Sequence, residues 1–251
     1  MLMMSTQKHF ILLRGLTRES RHWGDFPSLL RKAYPQSEII LLDLPGAGLL
    51  HKEKCPLSVD EITKSLRKSL TQQDLLGKNS MTFIGVSLGG MVAMKWAELY
   101  PEDLSEIILI NSSAGSIIPI WKRLKPDALI TLVHASINPK KQHSIIFDRV
   151  CRRKENKELL IKAWERIHLD KPVSFFNANR QIYAAARFKL SQKIQTRGLV
   201  LTSEGDDLVS SDCSKAIAKY LNYPLKIHPW AGHELPDDDP EWVLKQILNF
   251  C

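Results

Sequence analysis

The fold is decided by the ten residues Met81-Thr-Phe-Ile-Gly-Val-Ser-Leu-Gly-Gly90. The first six have the length and mostly apolar character of a buried β-strand, and Leu88–Tyr100 has the composition of a helix. Gly85, Ser87 and Gly89 therefore fall on a tight turn from a strand into a helix. We expect side chains at the two flanking positions to collide with neighbouring backbone, which explains why both are glycine.

Five further apolar runs of strand length lie on either side of this stretch, and helical patterns separate most of them. The runs are continuous rather than alternating and rich in Ile, Leu and Val, as expected for parallel strands covered on both faces. The six runs are His9–Gly15, Glu38–Leu44, Met81–Val86, Glu106–Asn111, Gly198–Ser203 and Leu225–Trp230. This alternation predicts an α/β protein with a doubly wound, mostly parallel sheet of about six strands.

Residues 113–190 interrupt the alternation. They contain no convincing strand pattern, only short helical patterns with basic and aromatic residues. We predict a helical cap over residues 113–190, inserted into an α/β core made of residues 1–112 and 191–251. The net charge of +8 is uneven, because residues 121–197 hold 18 Lys and Arg against 6 Asp and Glu. This excess indicates either an ordinary solvated surface or attraction of an anionic substrate.

The overall composition excludes several classes of protein. With 44% hydrophobic and 25% charged residues, the chain should fold around a sizeable core. No apolar run is long enough for a transmembrane helix, so we expect no stable membrane insertion. The start, MLMMSTQKHF, lacks the features of a secretory signal, and four scattered cysteines suit neither a disulfide framework nor a zinc site. We therefore expect a cytoplasmic protein without a metal.

Ser87 is the candidate nucleophile. The turn lifts its hydroxyl above the carboxyl edge of the sheet, where open α/β sheets bind ligands. The amide of Leu88, at the start of the following helix, points toward the same place and can stabilise an oxyanion. A second oxyanion donor is expected from the loop after the first strand, where Gly15 allows close approach of the backbone and Leu16 supplies the amide.

A serine hydroxyl is a poor nucleophile unless a base removes its proton. His233 is the candidate base, since it follows the last strand and therefore lies at the same edge of the sheet. Asp206, which follows the fifth strand, is the candidate carboxylate that orients the imidazole. Asp207 is the competing choice. The order Ser87, Asp206, His233 along the chain is the one expected for this architecture.

Taken together, these motifs resemble the alpha/beta-hydrolase superfamily. The resemblance is carried, in family order, by Arg14-Gly-Leu16, Asp43-Leu-Pro-Gly-Ala-Gly48, Gly85-Val-Ser-Leu-Gly89, Gly205-Asp-Asp-Leu-Val209 and Gly232-His233. It implies a Ser–His–Asp triad, a mechanism without metal or other cofactor, and a helical cap. The motifs most resemble the small-molecule branch that contains carboxylesterases and thioesterases.

The sequence departs from the family pattern at Arg14, where the family often has a histidine. One interpretation is that Arg14 binds a carboxylate of the substrate through its planar guanidinium. The other is that it braces the loop through Asp43 or a neighbour. His22 and Trp23, in the loop that follows, are further candidates for lining the substrate pocket.

The predicted function is that of a serine hydrolase that cleaves an ester or thioester bond of a small acyl substrate through an acyl-enzyme. C–C bond hydrolysis, a lyase reaction or acyl transfer on the same triad are alternatives. A non-enzymatic ligand-binding protein is a further one. The basic segment shows no nucleic-acid motif, so we expect no nucleic-acid partner. The sequence carries no signal for an oligomeric state.

Overall fold

In the computed structural model, residues 8–76, 81–138 and 140–251 are described, and six strands within them form one parallel sheet. The strands are β1 (His9–Leu13), β2 (Glu38–Leu42), β3 (Met81–Val86), β4 (Leu104–Ile110), β5 (Arg197–Ser203) and β6 (Leu225–His228). Their order across the sheet is β2-β1-β3-β4-β5-β6, and every adjacent pair is parallel. The predicted fold class and number of strands are confirmed.

Eleven α-helices connect and cover these strands within the described residues. They are α1 (Phe26–Ala33), α2 (Val59–Gln72), α3 (Leu88–Leu99), α4 (Ile120–Arg123), α5 (Pro126–Ile137), α6 (Gln142–Val150), α7 (Lys157–Asp170), α8 (Phe175–Arg187), α9 (Ser211–Leu221), α10 (Leu235–Asp238) and α11 (Pro240–Phe250). The start of α2 is defined by a side-chain cap, since the Ser58 hydroxyl accepts a hydrogen bond from the Glu61 amide at 3.2 Å.

Two hydrophobic clusters cover the two faces of the sheet. Along β1, Ile11 and Leu13 belong to the cluster formed with α2, α3 and α9, whereas Phe10 and Leu12 belong to the cluster formed with α1 and α11. Alternate residues of a strand point to opposite faces, so both faces are apolar and both are covered. The continuous apolar runs in the sequence are explained by this double burial.

The strand order places a switch point between β1 and β3. From β1 the chain continues to β2 on one side, and β3 then lies on the other side of β1. The loops that leave the carboxyl ends of β1 and β3 therefore diverge and leave a crevice, which is where open α/β sheets bind ligands. Ser87 follows β3 directly, and Gly15 lies two residues after the end of β1.

Helices α4 to α8 lie between β4 and β5 along the chain, in the segment predicted to form the cap. Phe147, Val150, Cys151 and Trp164 form a small apolar cluster of their own there. The Arg18 guanidinium stacks on the Trp164 ring at 3.8 Å and joins this cluster to the loop after β1. Across the described part of the chain, every helix is too short or too polar to cross a lipid bilayer.

Candidate active site

Ser87 occupies the turn between β3 and α3 in a backbone conformation that few side chains adopt. Its φ is 54° and its ψ is -114°, a combination that is strained for any residue with a Cβ. Two hydrogen bonds hold it there. The Ser87 amide donates to the Ile110 carbonyl at 2.8 Å, and the Ser112 hydroxyl donates to the Ser87 carbonyl at 2.8 Å. Backbone strain that is held in this way is typical of functional positions.

The glycines around Ser87 leave room for the turn. A Cβ on Gly85 would lie 2.4 Å from the Gly89 carbonyl oxygen, and a Cβ on Gly89 would lie 2.2 Å from the Leu13 carbonyl oxygen. Both distances are far inside van der Waals contact, so a larger residue would force the backbone to move. Gly15 lies beside Ser87, because a Cβ there would be 3.0 Å from the Ser87 Cβ and 3.6 Å from its Oγ. The loop after β1 therefore runs beside the Ser87 hydroxyl.

His233 and Asp206 form a buried pair. The Nδ1 of His233 donates to Oδ2 of Asp206 at 2.7 Å, and both side chains are at most 5% exposed. The other oxygen of Asp206 accepts from the amides of Leu208 and Val209 at 2.8 and 2.9 Å. These bonds fix the carboxylate, and its contact with Nδ1 leaves Nε2 as the imidazole nitrogen available for proton transfer.

Asp207 faces away from this pair. Its carboxylate accepts from Lys125 Nζ at 3.1 Å and forms an ion pair with Arg152. The Asp207 side chain is 38% exposed, whereas Asp206 is buried. Of the two adjacent carboxylates, the structure brings only Asp206 to His233.

The environment of His233 changes its basicity. Burial alone would lower the pKa of the imidazole, but the charge and hydrogen bond of Asp206 outweigh burial and raise the pKa above its ordinary value. The negative charge of Glu234 acts in the same direction, and Arg14 opposes it. The net result is an imidazole that is a stronger base than a histidine in water.

Asn111, at the end of β4, joins the elements that carry these groups. Its Nδ2 donates to the His233 carbonyl at 2.9 Å, and its Oδ1 accepts from the Ser203 amide at 3.0 Å. The preceding residue, Ile110, accepts the hydrogen bond from the Ser87 amide. Two consecutive residues, Ile110 at the end of β4 and Asn111 directly after it, therefore hold the backbones of Ser87 and His233. Sequence analysis missed Asn111, whose only signal is a polar residue directly after a buried strand.

The two amides predicted to stabilise an oxyanion belong to the helix that follows Ser87 and to the loop after β1. Leu88 is the first residue of α3, so its amide is among those that a helix leaves without an internal partner. Leu16 lies between Gly15, which is beside the hydroxyl, and Thr17, whose φ of 56° is unusual for a β-branched residue. The loop is therefore held in a strained conformation next to Ser87.

Arg14 belongs to a buried group of ion pairs that we call the Arg14 network, made of Arg14, Arg18, Glu234 and Asp237. Arg14 Nη2 donates to Glu234 Oε2 at 2.5 Å and to Asp237 Oδ2 at 2.6 Å, and Arg18 Nε donates to Glu234 Oε1 at 2.9 Å. Two cations face two carboxylates, so no excess positive charge remains for a substrate carboxylate. These contacts favour the bracing role, in which Arg14 joins the loop after β1 to the residue after His233.

Sequence analysis gave Asp43 or a neighbour as the residue through which Arg14 would brace the loop, and the structure does not pair Arg14 with Asp43. The Asp43 carboxylate instead accepts from the amides of Ser20 and Leu49, at 2.6 and 2.7 Å. Within the Arg14 network, burial alone would raise the pKa of Glu234. The positive charges of Arg14 and Arg18 outweigh burial and hold that pKa well below its usual range. Ordinary motif reading could not find this network, because its members come from opposite ends of the chain.

His22 and Trp23 pack around the Arg14 network. The Nδ1 of His22 accepts from the Glu19 amide at 3.1 Å, and burial together with the charges of Arg18 and Arg14 lowers the pKa of the imidazole. Trp23 is buried, and its ring lies 5.0 Å from the Arg14 guanidinium carbon. Through these contacts His22 and Trp23 pack against the loop after β1 and the Arg14 network. That they also line the substrate pocket stays a prediction.

Helix α8 rests on the core through polar side chains. The Oδ1 of Asn177 accepts from the Cys55 amide at 2.9 Å, and its Nδ2 donates to the Glu53 carbonyl at 2.9 Å. One turn later, Oε1 of Gln181 accepts from the Thr17 amide at 2.9 Å. The segment predicted to be a cap therefore contacts the loop that runs beside Ser87.

A groove of about 600 Å³ lies between residues 52–57 and α8. It is lined by Lys52, Glu53, Lys54, Leu57, Phe176, Asn177, Asn179, Arg180 and Tyr183, and so by none of the residues proposed for chemistry. Among the described residues, no group of three or more His, Cys, Asp or Glu side chains is placed to hold a metal ion.

A strained serine after β3 and a buried carboxylate–imidazole pair at the same edge of a parallel sheet define a class of protein. A family model described as "alpha/beta hydrolase fold" matches residues 8–146, more than half of the chain. The chain belongs to the alpha/beta hydrolase fold family.

Curated relatives are similar over different parts of the chain. The biotin biosynthesis bifunctional protein BioHC of Teredinibacter turnerae is 31% identical over 104 residues, which cover 41% of this chain and 17% of that protein. The 2-hydroxy-6-oxononadienedioate/2-hydroxy-6-oxononatrienedioate hydrolase of Burkholderia vietnamiensis is 24% identical over 251 residues, which cover 96% of this chain and 85% of that protein.

Among solved structures, a lipase-esterase related protein from Clostridium acetobutylicum matches with a TM-score of 0.78 and 19% identity. The match covers 98% of this chain and 96% of that chain. At this identity the likeness shows the shared fold, and the chemistry has to be argued from the site.

The Arg14 network makes a prediction about stability. Arg14→Met is expected to lower the free energy of unfolding by about 3–5 kcal/mol, because it leaves Glu234 and Asp237 buried without their main counter-charge. Urea unfolding at neutral pH measures the change. The matched control is Lys157→Met, which breaks an exposed ion pair with Asp148 and should cost less than about 1 kcal/mol. Equal losses for the two variants would show that the network does not stabilise the fold.

Proposed function

We propose that the protein is a serine hydrolase that cleaves an ester or thioester bond of a small acyl substrate. The observation that carries the proposal is the buried Asp206–His233 hydrogen bond of 2.7 Å, at the same edge of the sheet as the strained Ser87. The anchoring of both Ser87 and His233 to the end of β4 supports it. Membership of the alpha/beta hydrolase fold family supports hydrolysis in general, and the bond cleaved is part of the proposal.

In the proposed mechanism, His233 Nε2 removes the proton from the Ser87 hydroxyl as the oxygen attacks the carbonyl carbon of the substrate. Asp206 holds the imidazole in the required tautomer and stabilises its charged form. The amides of Leu16 and Leu88 donate to the oxyanion of the tetrahedral intermediate. His233 then gives the proton to the leaving alcohol or thiol, and the acyl group remains on Ser87.

Deacylation repeats these steps with water. His233 removes a proton from water, the resulting hydroxide attacks the acyl carbonyl, and the proton returns to Ser87 as the carboxylic acid leaves. Apart from the substrate and water, the proposed steps use only the side chains of Ser87, His233 and Asp206 and the two amides named.

We also propose that residues 113–190 act as a cap on a core formed by residues 1–112 and 191–251. The contacts of Asn177 and Gln181 on α8 with core backbone support this division. The excess of basic residues between 121 and 197 suggests that this segment attracts acyl substrates with a negative charge.

A panel of substrates tests the proposed function with the wild-type protein. It contains short p-nitrophenyl esters, acyl thioesters of coenzyme A and a 2-hydroxy-6-oxo dioate. It also contains a pair of esters of equal chain length, one with a neutral and one with an anionic acyl group. We expect turnover of at least one ester or thioester, and a preference for the anionic partner that fades with added salt. If the protein cleaves only the C–C bond of the dioate, the proposal is replaced by C–C bond hydrolysis, the alternative that the name of the Burkholderia vietnamiensis relative suggests.

The raised pKa of His233 predicts the pH dependence. The neutral imidazole is the active base, so kcat/KM should fall as the pH decreases through the pKa of His233. Because that pKa is raised above 6.5, the midpoint of the acid limb should lie above this value. A profile of kcat/KM across the acid and neutral range measures it. A midpoint well below 6.5 would contradict the assignment of His233 as the base with Asp206 beside it.

A further inference from the structure

Gln181 is a buried polar side chain in which only one of the two polar ends makes a hydrogen bond. It lies on α8 and is 0% exposed. Its Oε1 accepts from the Thr17 amide at 2.9 Å, whereas its Nε2 has no partner among the described residues. A buried donor without a partner is uncommon in folded proteins and asks for an explanation.

The orientation of this side chain is fixed by its one hydrogen bond. The Thr17 amide can only donate, so the carboxamide oxygen must face it and Nε2 must be the free end. Asn177, one turn earlier on the same helix, is the natural comparison. Its two ends are both satisfied, by the Cys55 amide and by the Glu53 carbonyl. The fold therefore can satisfy a buried carboxamide on this face of α8, and at Gln181 it leaves the donor free.

The position of Gln181 connects this free donor to the proposed chemistry. Thr17 follows Leu16, whose amide is proposed to bind the oxyanion, and Gly15 lies beside the Ser87 Oγ. Thr17 is itself strained, with a φ of 56°, and the hydrogen bond that its amide donates to Gln181 Oε1 helps to hold it. The carboxamide on α8 therefore contacts the loop whose Leu16 amide is proposed to bind the oxyanion.

We propose that Gln181 determines specificity by donating a hydrogen bond from Nε2 to an oxygen of the substrate's acyl chain. This inference rests on the proposed function. The substrate class is an acyl ester or thioester that carries an ether, hydroxyl or keto oxygen a short distance from the carbonyl carbon that is attacked. A purely hydrocarbon chain leaves the buried donor unpaired, and sites built to pair a polar group discriminate against such analogues.

Two pairs of isosteric esters measure this preference in the wild-type protein. The p-nitrophenyl esters of methoxyacetate and butyrate differ only by an ether oxygen in place of a methylene. The esters of 4-oxopentanoate and 4-methylpentanoate place a keto oxygen further along the chain. We expect kcat/KM for the oxygen-bearing ester of at least one pair to exceed its partner by about tenfold, after division by the rates with hydroxide. Equal kcat/KM values within both pairs would overturn the proposal and indicate that a buried water binds Nε2 instead.

Gln181→Met tests whether the free donor causes the preference. Methionine has no N–H donor, so the preference between the two esters of a pair should fall about tenfold, whereas any general effect of losing the Thr17 contact changes kcat/KM for both esters alike and cancels in their ratio. Asn177→Met is the matched control, because it removes the carboxamide one turn earlier whose two ends are both satisfied, and it should leave the preference unchanged. A preference that survives in Gln181→Met overturns the proposal. If the wild-type protein hydrolyses none of these esters, the proposed function fails instead, so the two failures are distinguishable.

Discussion

Replacing Ser87 by alanine is expected to lower kcat for a short p-nitrophenyl ester by about 10⁴-fold or more. Alanine has no hydroxyl to attack the carbonyl, so the acyl-enzyme cannot form. The oxyanion amides and the Asp206–His233 pair are untouched, and KM should therefore change much less than kcat. Alanine bears the same strained φ as serine, so the free energy of unfolding should also stay close to that of the wild type.

The matched control for Ser87→Ala is Ser65→Ala. Ser65 is exposed on α2, away from the loops that surround Ser87, and its loss should leave kcat within about twofold. Initial rates measured on both variants at equal concentration make the comparison. Near-wild-type turnover by Ser87→Ala would remove Ser87 from the mechanism.

Asp206→Asn is expected to lower kcat by about 10³–10⁴-fold. The asparagine can still accept from the amides of Leu208 and Val209, so the shape of the loop is kept. The neutral side chain no longer stabilises the imidazolium, and its amide group can select the wrong tautomer of His233. Since the charge and hydrogen bond of Asp206 raise the pKa of His233, the acid limb of the residual activity should also move to lower pH.

The neighbouring carboxylate provides the control for this substitution. Asp207→Asn weakens the ion pairs with Lys125 and Arg152 but leaves His233 and its partner in place. Because these pairs are partly exposed, kcat should remain within a few-fold of the wild type. Steady-state kinetics and pH profiles of the two variants decide between the adjacent residues. Equal losses, or a larger loss in Asp207→Asn, would contradict the assignment.

The parts of the fold that sequence predicted correctly depend on local patterns. Six continuous apolar runs became six parallel strands, because double burial demands apolar residues at every position of a strand. The helix expected over Leu88–Tyr100 is present as α3, because helical composition is a local signal as well. Helix α1, of only eight residues, was not predicted individually from the sequence.

The parts that sequence could not predict depend on contacts between distant residues. Arg14 meets Glu234 and Asp237 across more than 200 residues, so the motif around Arg14 did not identify its partners. Sequence favoured Asp206 and kept Asp207 as the competing choice, because a sequence pattern does not show which of two adjacent side chains turns toward His233. That depends on the path of the loop after β5.

Asn111 and Gln181 show a further limit. Each is a polar residue beside an apolar segment, and each makes its contacts through loops that only the folded chain brings together. Nothing in the periodicity of α8 distinguishes Gln181 from a surface glutamine. Its burial and its free donor became apparent only with the packing of α8 on the loop after β1.

The most direct measurement of the central claim is the site at which the protein reacts with a fluorophosphonate probe. Such a probe phosphonylates a serine only when a base and oxyanion donors activate its hydroxyl. Mass spectrometry of the intact protein and of its tryptic peptides should find a single adduct, on Ser87, and no adduct on Ser87→Ala. Labelling of a different residue, or no labelling of a correctly folded protein, would contradict an activated serine at this position.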